Sequence, residues 1–513
     1  MIKNITRSLE DLLGKEYMQA VKNVAVQING MDPAEADFLA SEKVDFFPED
    51  FAARMDELAK KTGEQVVAPF NNELAGAPTD SFRKANHYEM APIGGLGCTR
   101  IGQDGKAYLI AKSEHYHASL GHNFPGYKLI TNARKLGVLN ATHNNTRGYI
   151  TRLCERRLIA AANGEYNDAK LDAILASKEP QVINRLINLE TGSLAVEAGI
   201  KMMLARFYRL DSTYDAPVYE GKIPVFFIME DNTEGKNANY HGTTIVAQTF
   251  RGMWPTLYEK IEENDLYRVV SVKKNDIADF KEKMERYNTG KYKTAGFLHE
   301  IILMNYGGIR LTVDFLQQAY ELCHKYDTFT LCDEIQSCMW YDGMFLFRQY
   351  GLNPDFVIIG KGFPGGEYPA SKVLTTAEAD SLNQFGALVT NGQEELASLA
   401  YLITMEFAKE NGEAITEMGN KVEAAMQKLY SEYPDLLDAP EGLGHLSAII
   451  FRDINKAAEF TKIMNEMCVD ISAQLYKAAC PPAVLWKLPL ISDDVVLDVV
   501  YDRIVKGIAK LSK

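Results

Sequence analysis

Between residues 180 and 395, short unbroken apolar runs alternate with segments whose apolar residues recur every three or four positions. The runs at 186–189, 223–229, 295–303, 329–332 and 356–359 predict strands. The segment 195–208, with Val196, Ile200, Met203 and Leu204 on one face, predicts a helix, and so does 313–326. A strand apolar on both faces is covered on both, so the alternation predicts an α/β fold with a mostly parallel sheet flanked by helices. After residue 395 helices dominate, at 397–410, 414–433 and 494–511. Amphipathic spacing at 5–20 and 48–61 predicts a helical extension that packs on the body. Around 92–121 glycines and short extended runs take over, and Asp104-Gly105 predicts a hairpin between 99–101 and 107–110. The expected layout is an extension over 1–85 and a large domain over 140–395. A smaller α/β domain would be built from 86–139 and 396–513.

Length and charge narrow the partners. A chain of 513 residues exceeds one ordinary core and suits a large domain plus a smaller one. With 55 Lys and Arg against 69 Asp and Glu, the net charge of −14 disfavours nucleic acid and anionic membrane surfaces. No stretch reaches the roughly 20 apolar residues that span a bilayer, and residues 1–10 lack the apolar core of a leader. The seven cysteines are scattered and form no CxxC pair, so neither a disulfide framework nor a zinc knuckle is expected. The His115-Tyr116-His117 pair lacks a third ligand nearby, and no metal site is expected. These features predict a soluble cytoplasmic protein acting on small molecules.

In open α/β sheets ligands sit beyond the carboxyl ends of the strands. There the sequence carries Asp333-Glu334-Ile335-Gln336, Gly360-Lys361-Gly362, Thr191-Gly192-Ser193 and Tyr240-His241-Gly242. Singly, each has an ordinary reading. An Asp after a strand caps a turn, a Gly-Ser opens a helix, a lysine between glycines is a solvated loop residue, and a tyrosine packs. Jointly they supply what pyridoxal 5'-phosphate needs: a lysine for a Schiff base (Lys361), an acid for the pyridine nitrogen (Asp333), helix-opening N–H groups for the phosphate (Gly192, Ser193) and an aromatic face (Tyr240). Lys372 is a competitor for the Schiff base but lacks the flanking glycines.

The run LCDEIQSCMWYDGMFLFRQYGLNPDFVIIGKGFPGG, residues 331–366, resembles the signature of class III pyridoxal-phosphate-dependent aminotransferases, the ω-aminotransferase group of fold type I. The Asp104-Gly105 to Leu120-Gly121-His122 segment, Thr191 to Ala198, Tyr240-His241-Gly242 and the stretch 300–316 are similar to further family motifs, so the resemblance spans roughly 90–500. It implies an aminotransferase that moves an amino group from an amine or amino acid to a 2-keto acid by a ping-pong mechanism. Lys361 would be the Schiff-base lysine and proton carrier, Asp333 the partner of the pyridine nitrogen, and Gln336 that of the ring hydroxyl. Gly192 and Ser193 would hold the phosphate and Tyr240 would cover the ring. Thr390, in Val389-Thr390-Asn391-Gly392, would reach the phosphate of a neighbouring subunit, which implies a homodimer; alternatively it simply begins a helix. A racemase, decarboxylase or aminomutase of the same family is the alternative outcome. A noncatalytic relative has no need for both Lys361 and Asp333. A nicotinamide enzyme would rest on Gly94, Gly95 and Gly97 without a strand-to-helix turn.

The chain departs from the family pattern in three places. Tyr341 stands where an arginine follows the DEVQ motif, and Trp486 where a carboxylate-clamping arginine is usual; Lys487 beside it offers only a point charge. Glu300 then lacks the arginine with which its counterpart pairs. His115 and His117 read either as a polar strand end or as readers of a polar substrate.

Overall fold

The structure is a computed structural model that describes residues 1–72, 74–142, 144–230, 236, 241–392, 394–438, 440–474 and 481–511. A seven-stranded sheet forms its centre. The strands in chain order are β1 (Ile183–Leu189), β2 (Ile223–Met229), β3 (Arg268–Val272), β4 (Tyr292–His299), β5 (Phe329–Asp333), β6 (Phe356–Ile359) and β7 (Ser371–Thr376). Their spatial order is β1-β7-β6-β5-β4-β2-β3. The pairs among β6, β5, β4, β2 and β3 are parallel, whereas β7 runs antiparallel to both neighbours, β6 and β1. This is the mostly parallel sheet that the alternation of runs and helices predicts.

The unbroken apolar runs are explained by burial on both faces. Phe226 and Ile228 of β2 pack into one cluster with Leu331, Phe356 and helix α1 (Gly192–Leu204). Val225, Phe227 and Met229 enter the opposite cluster, where Phe227 meets Phe280 edge-on at 5.6 Å. Strand β7 was not foreseen, because Ser371, Lys372, Thr375 and Thr376 give it a polar reading. Each is nonetheless buried and satisfied within the sheet or by its neighbours.

A second, antiparallel sheet holds β8 (Glu441–Leu443), β9 (Leu446–Ile450), β10 (Ser472–Ala473) and β11 (Ala483–Trp486), in the order β8-β9-β11-β10. The predicted hairpin forms as Thr99–Gly102 and Ala107–Leu109, extended by Pro92–Leu96. Its last strand is stitched to the carboxyl-terminal segment by Leu109 N donating to Cys468 O and Asp470 N to Leu109 O, each 2.9 Å.

The helix expected over 5–20 is broken. Thr6–Arg7 pairs with Val44–Asp45 as a short ribbon, and Gly14, at φ +85°, separates helices at Leu9–Leu13 and Lys15–Gln27. Leu9, Met18, Phe46, Phe51 and Met55 of this segment enter the main core. Among the described residues no helix is long and apolar enough to cross a membrane, and no His/Cys/Asp/Glu group could hold a metal. Six cysteines are free and buried; Cys480 lies outside the described residues.

Candidate active site

A cavity of about 550 Å³ opens beyond the carboxyl ends of β1, β5 and β6. The parallel pairing of β5 with β6 carries Asp333 and Lys361 to the same end of the sheet, and both line the cavity. Asp333 is buried, with Oδ1 accepting from Ile335 N at 3.1 Å and Oδ2 facing His241 Nδ1 at 2.9 Å. A carboxylate only accepts, so His241 Nδ1 carries the proton of that bond. Lys361 adopts a left-handed backbone at φ +39°, a conformation that costs a non-glycine residue strain and often marks functional positions. Burial lowers the pKa of its amine below the usual lysine value, and Glu300, Asp333 and Cys338 pull it partly back.

Gly192 and Ser193 also line the cavity at the first turn of α1, which Thr191 caps by accepting from Leu194 N at 3.4 Å. The helix opening thus presents free N–H groups to the cavity, an arrangement that attracts an anion. Ser193 Oγ accepts from Thr243 N at 3.1 Å. Gln336 donates from Nε2 to Glu300 Oε1 at 2.8 Å, so the acid expected to lack its arginine has a partner inside the site. Ile335 forms part of the floor, so close that a Cβ on Gly192 would stand 3.0 Å from it and one on Gly360 2.6 Å.

The other sequence-derived candidates fall in different places. Tyr240 is outside the described residues. Thr390 is exposed and does not line the cavity. Lys372 points its amine to Asn188 and the Tyr401 ring, 4.8 Å from the centroid. Tyr341 is buried and donates to Leu443 O at 2.9 Å, which ties the 336–345 loop to β8. Trp486 is buried within β11, and Lys487 is buried with its amine on Gln336 O at 2.7 Å. Neither histidine of the 115–117 pair ends a strand. Four consecutive residues, Ser113 to Tyr116, take φ between +48° and +73°, and this left-handed turn carries His117 to the cavity wall. The walls around His115, and then Lys361, Lys112 and Lys487, push its pKa down to about 3. The role of His241 was missed, although it stands in the Tyr-His-Gly triplet; only its bond to Asp333 singles it out.

The donor set fits pyridoxal phosphate. Gln336 Oε1 and His241 Nε2 are buried polar atoms without a protein partner, and such atoms are costly unless a ligand satisfies them. Glycines at 192 and 242 keep open a space that side chains would fill, since a Cβ on Gly242 would stand 2.6 Å from Ser193 Cα.

Residues 83–474 match the family model described as aminotransferase class-III. The chain belongs to that family. As in other class III aminotransferases, its cofactor is pyridoxal 5'-phosphate. Among curated proteins it is similar to an acetylornithine aminotransferase of Prochlorococcus marinus, 24% identical over 51% of this chain and 60% of that protein. It is also similar to an ornithine aminotransferase of Emericella nidulans, 26% identical over 52% of this chain and 56% of that protein. The chain thus matches little more than half the length of these relatives. Among solved structures, an aminotransferase from Vibrio fluvialis in its PMP-bound form superposes with a TM-score of 0.66 at 16% identity, covering 86% of this chain and 96% of that one. The ornithine aminotransferase of Toxoplasma gondii gives 0.64 at 18% identity, covering 86% and 93%. Both share its fold.

Proposed function

We propose that this chain is a pyridoxal-phosphate-dependent aminotransferase that moves an amino group from an amine or amino acid to a 2-keto acid in two half-reactions. The convergence of Lys361, Asp333 and the first turn of α1 on one cavity carries the reading. When bound, the cofactor supplies an electron-withdrawing ring that stabilises negative charge at the substrate carbon. Lys361 would hold the cofactor through its ε-amine. When freed, the amine would carry a proton between substrate and cofactor carbons, a task eased by a pKa below the usual lysine value. Asp333, fixed by Ile335 N and His241, would keep a proton on the ring nitrogen. Gln336 would meet the ring hydroxyl, Gly192 and Ser193 the phosphate, and Tyr240 the ring face. Thr390 would reach the phosphate bound by a second copy in a homodimer, and the exposed Phe385 and Leu388 just before it suit a covered surface. Six buried free thiols suit a reducing cytoplasm.

Borohydride treatment of the loaded protein is expected to fix the cofactor to Lys361. Mixing with an amino donor and no acceptor should release one equivalent of aldehyde or keto product per site. Label on another lysine, or a racemised or decarboxylated donor with no such product, would overturn the proposal.

A further inference from the structure

Lys487 lies at the end of β11 and is only 1% exposed, in a place where a charge is expensive. Its amine stands 3.6 Å from the centroid of the Trp340 ring and 4.5 Å from that of Tyr116, and it donates to Gln336 O at 2.7 Å. The Tyr116 ring is shared, for Lys361 Nζ lies 5.2 Å from the same centroid. Both amines therefore lie within reach of one aromatic side chain, and the electron-rich faces of Trp340 and Tyr116 favour a cation between them. Backbone bonds lock the arrangement: Lys487 N donates to Ala111 O at 2.8 Å, Ser113 Oγ to Lys487 O at 2.6 Å, and Trp340 Nε1 to Leu488 O at 2.9 Å. The left-handed turn at Ser113–Tyr116 brings Tyr116 to this position.

We propose that Lys487 is a positioning residue: a second amine of the site that holds the Gln336 carbonyl and shares one positive charge with Lys361 across Tyr116. The inference rests on the reading of Lys361 as the cofactor-bearing lysine. Burial and Lys361 disfavour the Lys487 cation, whereas Cys338 and Glu300 favour it. Around Lys361 the acids Glu300 and Asp333 and the thiol of Cys338 favour the cation. His115 and His445, which both feel Lys487, are held largely neutral by burial. Two amines over one ring in a poorly solvated setting shift each other's titration when both are charged, and the coupling is reciprocal.

The test uses the loaded protein and two variants. Lys487→Gln keeps a donor for the Gln336 carbonyl and removes the charge; Lys487→Arg makes the charge permanent. Borohydride mapping first establishes which lysine bears the cofactor, and label away from Lys361 would refute the functional reading rather than this one. With Lys361 labelled, the pH midpoint of the cofactor's visible band should lie about one pH unit lower in Lys487→Arg than in Lys487→Gln. Coincident midpoints in two folded, loaded variants would overturn the proposal, and so would a wild-type midpoint equal to that of Lys487→Gln, because a purely structural, uncharged lysine would match the glutamine. Should the arginine fail to fold, Lys361→Ala supplies the reciprocal measurement. The Lys487 amine, followed by lysine-selective NMR, should then titrate about one pH unit above wild type, and an unchanged midpoint would refute the coupling.

Discussion

At Gly242 the backbone takes φ +103°, which only glycine adopts without strain, and its missing Cβ leaves 2.6 Å to Ser193 Cα. The residue therefore sets how closely the segment after β2 approaches the first turn of α1. Gly242→Ala imposes both strain and a clash, together about 1–3 kcal/mol. Pyridoxal phosphate affinity, measured by absorbance titration, should fall at least about tenfold while the circular dichroism stays unchanged. Retained affinity would mean that the turn does not shape the proposed phosphate site. That Lys361 and Asp333 meet at one cavity was legible in the sequence, because each follows an apolar run and parallel strands bring such ends together. His241 and Lys487 were not. A histidine that orients an acid 92 positions away, or a lysine that bonds a carbonyl 151 positions away, leaves no local mark.

Between elements, Asp355 joins three strands just before β6. Its Oδ2 accepts from Thr330 N at 2.7 Å and Thr330 Oγ1 at 2.9 Å, and its carbonyl accepts from Thr375 Oγ1 at 2.9 Å. Burial raises its pKa to about 7, although the Thr330 bonds resist the rise. A carboxyl whose folded pKa is raised keeps a proton that the unfolded chain has released, so between about pH 4 and 7 rising pH removes stability; above 7 the effect is level. Asp355→Asn abolishes this titration and keeps an acceptor for Thr330. Unfolding midpoints at pH 5 and 8 should show the variant gaining about 2 kcal/mol on wild type between them, and a constant difference would refute the shift. Glu334, also raised to about 7 by burial, titrates in both proteins and cancels. The apolar strands β2, β5 and β6 were readable because sheets covered on both faces need unbroken apolar runs. Strand β7 was not, since most of its buried polar side chains are satisfied by residues remote in sequence, as Lys372 is by Asn188.

Over the whole molecule, the amino-terminal segment is built into the main core rather than laid on it. Phe46 is fully buried, meets Phe124 edge-on at 5.9 Å between centroids, and lies where a Cβ on Gly126 would approach to 3.0 Å. Its N–H donates to Ile5 O at 2.8 Å, and Arg7 reaches Glu406 Oε1 at 2.8 Å, so the segment grips the helix at Glu395–Glu410. Amphipathic spacing predicted the helices here, but not that Gly14 would break the first and let the chain return as a ribbon partner for residues 44–45. Phe46→Ala removes a ring from a closely packed site and is expected to cost about 3–5 kcal/mol. Phe38→Ala, at a ring 58% exposed, should stay within about 0.5 kcal/mol. Because Phe46 shares one core with the carboxyl-terminal helix through residues such as Leu9 and Ile504, scanning calorimetry should find the main transition itself displaced downwards. A separate low-temperature transition that leaves the main one in place would instead make residues 1–60 an independently melting unit.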